Sequence, residues 1–395
     1  MKKLSYIMAC FGAISALLSC GSNQEDIKPE ASFTRIYDDP RFSSEYDPLD
    51  VLPTNDGGYL LLAATEAWSP YLVKTHKDGQ VAWHTSVDEA YVNPLAQLIV
   101  ISDSIYIICM NEVTLATELL RVDINAGTAQ PVATLEGIQY PLGVSQTPDG
   151  GLLIMGYDRE SKSSTLHKLT PTFATTWSAE YAVEEDVEET IIDHLGRTGQ
   201  QLPFFTGATT DGSAYYFNGF SNYTLSLNFV DPGSGEVLGT LNGFRGEGYV
   251  SAAQHITGNQ FALARQTFQA SALLPASELN YQAVANSADL EANNFPEIAP
   301  NARVIVKTTQ LLGKPTTMYG THTKTQRLAF FFYDQETGNL LATHYLGISA
   351  PYQLGNFEFT EEGELLVLAE TFLIGRFSRL CLFKLSSEEV TEILQ

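Results

Sequence analysis

The sequence predicts an all-β chain, a seven-bladed β-propeller of four-stranded antiparallel blades. Three observations lead there. A tight polar or Asp-Gly turn followed by an apolar run recurs with its turns at 56, 103, 149, 211, 258 and 362. The spacings are 47, 46, 62, 47 and 104 residues, and the last is twice 52, which calls for a seventh turn near 310. Most units also hold a second strand–turn–strand phrase. Two hairpins, or four strands, per unit of about fifty residues is the content of a propeller blade.

In chain order, Asp56-Gly57-Gly58 leads into the run 59–64 and Asp103 into 105–109. Asp149-Gly150-Gly151 leads into 152–156, and Asp211-Gly212 into 214–217. Gly258-Asn259 leads into 261–264, and Glu362-Gly363 into 365–369. Near 310 the sequence offers 304–306, a turn at Gly313-Lys314-Pro315, then 316–320. Asp-Gly and Gly-Gly supply the positive φ that two-residue hairpin turns require. The runs are apolar at consecutive positions, so each is expected to be buried on both faces between neighbouring sheets. Second hairpins are read at 71–84, 227–238 and 330–342. The strand 33–37 is expected to close the ring as an outermost strand, with 390–394 competing for that place. Six blades result if an insertion in the fifth unit absorbs the sixth turn. Asp78-Gly79 with Trp83, and Asp334 with Gly338, resemble the blades of quinoprotein-like propellers related to pyrroloquinoline quinone dehydrogenases. That resemblance implies the fold but not the quinone, because the chain has no adjacent Cys pair and no matching metal set.

The N-terminus carries an address. Met1-Lys2-Lys3 precedes an almost wholly apolar stretch, 4–18, and then Ser19-Cys20-Gly21. A positive start, a short apolar run and small residues are the parts of a secretory signal, too short for a membrane span. Leu17-Leu18-Ser19-Cys20 resembles the lipobox of bacterial lipoproteins. The resemblance implies cleavage after residue 19, acylation of Cys20, and anchoring by several acyl chains. Gly21, in place of an inner-membrane retention Asp, implies outer-membrane placement, periplasmic or surface-exposed. Gln24-Glu25-Asp26 is similar to surface-export signals. The domains are then a signal at 1–19, a polar tether at 20–31 and a propeller at 32–395. Removing 19 of 395 residues leaves 376, about 54 in each of seven units, and loss of Lys2 and Lys3 takes the net charge from −24 to −26.

That acid excess, 46 Asp plus Glu against 22 Lys plus Arg, excludes a basic nucleic-acid footprint. Beyond Cys10 and Cys20 only Cys109 and Cys381 remain, both in apolar runs, and these read as buried free thiols rather than a disulfide framework.

Two segments interrupt the period, 183–203 and 268–301. The first holds Glu184, Glu185 and Asp186 in an acidic run and ends in Asp193-His194-Leu195-Gly196-Arg197. The second is read as replacing the second hairpin of the fifth blade, and its sequence allows a short helix over 277–285. The first is placed between blades and the second between second and third strands, so both should overhang one face. That face, with Tyr249, Arg265, Arg303 and His322 nearby, is the candidate binding surface.

The run 184–189 offers the oxygen ligands calcium takes but lacks the alternating Asp and turn Gly of a calcium loop. No cofactor is expected, a calcium ion being the one exception the composition leaves open. No zinc-hydrolase motif and no nucleophile elbow occurs. The expectation is therefore a non-catalytic, membrane-anchored scaffold that binds a protein or glycan. The alternative is a glycan hydrolase or lyase with its site at the central channel. Convergence of Asp, Glu, His or Arg there would favour the enzyme.

Overall fold

The computed structural model describes residues 28–37, 45–198, 201–221, 223–243, 248–267, 270–292, 294–348, 350–372 and 377–395. The signal, Cys20 and most of the tether lie outside the described residues. Among the described residues, strands form seven separate sheets, each an antiparallel blade. All seven anticipated turns join a first strand to a second. The sixth sits at Leu312-Gly313 between Ile305–Leu311 and Lys314–His322, so the ring has seven blades, not six.

The second strands are buried on both faces, as consecutive apolar runs require. Tyr59–Thr65, Leu152–Asp158 and Leu365–Phe372 each hold at least four residues with no exposed surface. The outermost strands are open, as in Val81–Ser86. Phe33–Tyr37 pairs antiparallel with Ser378–Leu385 and supplies the fourth strand of the last blade. Residues 390–394 do not compete for it. Ser386 caps an α-helix there, accepting the Glu389 N–H at 3.2 Å, and Glu388 and Glu389 sit at its positive end.

The Asp-Gly-Gly turns carry a further device. In blade one Asp56 takes the Thr54 hydroxyl at 2.6 Å and the Gly58 N–H at 3.0 Å. It also takes the ammonium of Lys74, a third-strand side chain only 3% exposed, at 2.9 Å. Blade three repeats this with Asp149 and Lys168, and blade seven pairs Glu364 with the fully buried Lys384 at 2.9 Å. A long cation thereby crosses the blade edge with its stem in the core and its head satisfied.

The fifth blade corrects the sequence reading. No helix forms over 277–285. Ala272, Leu273 and Leu274 are core residues, so Ser271–Glu278 is the third strand of the blade, not part of an insertion. The excursion starts after it, between third and fourth strands. It lays Val284–Asn286 parallel to blade four's outer strand Val237–Asn242 and returns as the two-residue strand Asn294–Phe295.

Candidate functional site

Strand direction divides the ring into two rims. The first-to-second and third-to-fourth turns lie on one, the second-to-third turns and blade-to-blade links on the other, here the upper rim. The link from blade three to blade four forms a helix, Glu188–Leu195, that the sequence reading did not include. Val187, Ile191 and Leu195 fall at four-residue spacing on one face. They join a core cluster with Met110, Tyr140, Leu142, Tyr157 and Phe217 from blades two to four.

The chain then reaches across the ring. Gly196 accepts the indole N–H of Trp68 from blade one at 3.1 Å. Arg197 donates to Asp47, on the innermost strand of blade one, at 2.6 Å and to Asn93 at 3.3 Å. The first insertion is therefore a strap from blades three and four to blades one and two. His194 stiffens it: Nδ1 accepts the Leu202 N–H at 3.1 Å, and the ring meets Phe204 edge-on at 4.8 Å. Burial, with Arg197 and Arg303 adding to it, pulls its pKa down to about 3, so it is neutral near pH 7.

Charged groups from several blades face one another along the inner strands, from Asp47 and Arg303 beside the strap to Glu358 towards the lower rim. Asp50 is buried; its oxygens accept the N–H groups of Val51 at 2.9 Å and Leu98 at 2.6 Å and the Asn356 amide at 2.5 Å. Burial raises its pKa, with Lys307 opposing. Lys307 binds Glu358 at 2.6 Å. Arg303, at the entry to blade six, is exposed to the channel, feels Asp47, Asp50 and Arg197, and has its pKa lowered chiefly by the surrounding protein. Glu370 has its pKa raised to about 7, first by burial and then by Asp47 and Glu45, against a hydrogen bond with Ser378.

On the same rim a cavity of about 270 Å³ is lined by Ala299, Pro300, His322, Thr323, Lys324, Gln326 and Gln353. Its walls are the end of the second insertion, a blade-six turn and the start of blade seven. His322 is neutral near pH 7, burial having lowered its pKa.

The candidate residues fall into separate places. Glu184, Asp186 and Asp193 are exposed on the strap, with Asp186 bonded to Lys162 at 2.9 Å and Asp193 to Thr198 at 3.2 Å; Glu185 is half-buried. Among the described residues no three His, Cys, Asp or Glu form a group able to hold a metal ion. Tyr249 is half-buried and donates to Gln266 at 3.4 Å. Arg265 is a clamp rather than part of an open face, donating to the carbonyls of Ser287, Ala288 and Leu290 at 2.7–3.3 Å. Arg303 reaches the channel mouth and His322 the cavity. Asp47, Asp50, Lys307, Asn356, Glu358 and Glu370 were missed. They lie in three different blades, and only closure of the ring makes them neighbours.

No protein-family model and no curated protein matches the chain. Solved structures do. A chain of hydrazine synthase from Kuenenia stuttgartiensis is similar at 13% identity over 83% of this chain and 96% of its own, TM-score 0.50. The β-propeller domain of the Trilobed protease from Pyrococcus furiosus follows at 11% identity over 87% and 94%, TM-score 0.47. YCF48 from Cyanidioschyzon merolae gives 11% over 89% and 98%, TM-score 0.48. At such identity the first of these likenesses speaks for the fold alone.

Proposed function

We propose that this propeller is a non-catalytic binding protein of the cell envelope, held to the outer membrane by acylated Cys20, with a protein or glycan as its partner on the upper rim. One observation carries the reading. Charged groups do face one another along the inner strands, but the strap is fixed beside them, and Asp47, Asp50 and Glu358 are each engaged by a donor. The accommodating feature is instead the cavity, whose amide, hydroxyl and ammonium groups suit the hydroxyls of a sugar. The anchor fits this arrangement. Residue 33 pairs with Lys384, and Lys384 Nζ donates to the Pro29 carbonyl, so the tether enters at the lower rim, opposite the cavity. Residues 20–31 would span about 40 Å when extended.

The test is binding of residues 21–395 to an array of immobilised glycans, beside Gln326→Ala and Gln353→Ala. Selective binding lost in both variants supports the reading. The second reading, a glycan hydrolase or lyase at the channel, draws on Glu370 as a carboxyl that titrates near neutrality. Turnover of a bound glycan that Glu370→Gln abolishes would replace the first reading with this one. Cys20→Ala followed by membrane fractionation tests the anchor; unchanged retention of the variant would sink it.

A further inference from the structure

The strap and the inner strands bring together three cations, Arg197, Lys307 and Arg303, and four acids, Asp47, Asp50, Glu358 and Glu370, and not every cation has a bonded partner. Arg197 is committed to Asp47 at 2.6 Å and Lys307 to Glu358 at 2.6 Å. Asp50 is committed to two backbone N–H groups and an amide. Arg303 is the remainder. Among the described residues its guanidinium has no hydrogen bond and no ion pair, and only its backbone carbonyl is bonded, to Thr321 at 2.9 Å. Its position is nonetheless fixed. Ala302 and Val304 on either side are buried in the core, and Ala302 closes a turn onto Ala299 at 3.1 Å.

Arg303 thus presents a planar fork of five donors on the inner side of the ring, near Asp47 and Asp50. The acids within its reach already have donors of their own, so they attract it at a distance without filling its hydrogen-bonding sites. A guanidinium stays charged at any physiological pH, and its fork matches the paired oxygens of a carboxylate or phosphate. The segment that carries it also supplies Ala299 and Pro300 to the cavity wall.

We propose that the channel mouth is a binding site for a small oxyanion, the carboxylate of an acidic sugar or a phosphate group, with Arg303 as its anchor and the strap helix beside it. The site itself does not depend on the glycan reading; only a sugar as the source of the carboxylate does.

The experiment is calorimetric titration of residues 21–395 with inorganic phosphate and, separately, with galacturonate, using wild type, Arg303→Gln and Arg303→Lys. The expected result is binding of at least one probe, about tenfold weaker in Arg303→Gln and partly kept in Arg303→Lys, because the fork loses its geometry but not its charge. Apo thermal stability should be almost equal in all three proteins, since the guanidinium makes no internal bond. Binding of phosphate alone assigns the site to a phosphate group; binding of galacturonate alone assigns it to an acidic sugar. Equal affinity in wild type and Arg303→Gln, or no heat from either probe up to about 10 mM, overturns the proposal. Neutral-glycan binding that needs Gln353 but not Arg303 would leave the cavity reading standing without this one.

Discussion

Removing Asp149 should cost more than removing the lysine it holds. Lys168 is 4% exposed, while its partner carboxylate is 58% exposed, with separations of 2.9 and 3.0 Å. The ammonium's other acceptor is the Leu169 carbonyl at 2.9 Å. In Asp149→Asn the amide oxygen still accepts the Thr147 hydroxyl and the Gly151 N–H, so the turn survives while the buried cation loses its counter-charge. An uncompensated buried charge costs about 3–5 kcal/mol. Water reaches Lys168 from the carboxylate side, which discounts the figure to about 2 kcal/mol. In Lys168→Met the stem volume is kept and the freed carboxylate is hydrated, for about 1 kcal/mol or less. Scanning calorimetry at pH 7 should show Tm falling by about 2–3 °C in the first variant and about 1 °C or less in the second. The double variant should fall by less than the sum, because the two changes share one contact. Asp149 has its pKa held at about 2: burial opposes, but Thr147, Lys168 and Gly151 prevail. A folded pKa below the unfolded value places this stabilisation above about pH 4 and removes it as pH falls towards 2. A Lys168→Met loss equal to or larger than that of Asp149→Asn would refute the account.

Glu370 should show the opposite pH dependence. Its folded pKa of about 7 exceeds the unfolded value, so the folded state holds the proton longer, and stability is lost as pH rises from about 4 to 7. Glu370→Gln should therefore raise stability relative to wild type at pH 8, by on the order of 2 kcal/mol in denaturant unfolding, and change little at pH 5; an equal shift at both pH values contradicts this. Gly151→Ala should destabilise more than Gly150→Ala. A Cβ on Gly151 would lie 2.1 Å from the Leu169 carbonyl oxygen and 2.5 Å from Lys168 Nζ, whereas Gly150, at φ +80°, has its nearest neighbour at 3.7 Å. Denaturation midpoints should show about 1–2 kcal/mol for the φ penalty and about 3 kcal/mol or more for the clash; the reverse order would contradict it. Cys109 and Cys381 are free and buried, and burial pushes the Cys381 thiol up to about 12 and Cys109 higher. A thiol reagent should leave both untouched in the native protein and titrate both after denaturation; rapid native labelling would be the contrary result.

The propeller was legible because its information is local and repeated. Asp-Gly at 56, 149 and 211 sets a turn wherever it occurs, and an unbroken apolar run such as 59–64 has only a position between sheets to occupy. The errors fell where local sequence leaves a choice. Residues 277–285 could start a helix in isolation, but Ala272–Leu274 were needed in the core of blade five and drew the chain on as strand. The strap helix at Glu188–Leu195 was hidden behind its acidic start, although Val187, Ile191 and Leu195 carried the four-residue spacing that could have revealed it.

The sequence by itself determined the hairpin punctuation, which depends on residues a few positions apart, and the acid excess; it left seven blades against six and 33–37 against 390–394 as the closing strand for the structure to decide. Only the tertiary structure decided which charges meet. Asp50 finds Asn356, and Arg197 finds Asp47 150 residues away, because ring closure lays the seven inner strands around one axis. Among the described residues the guanidinium left open there, that of Arg303, follows from that subtraction and from no motif.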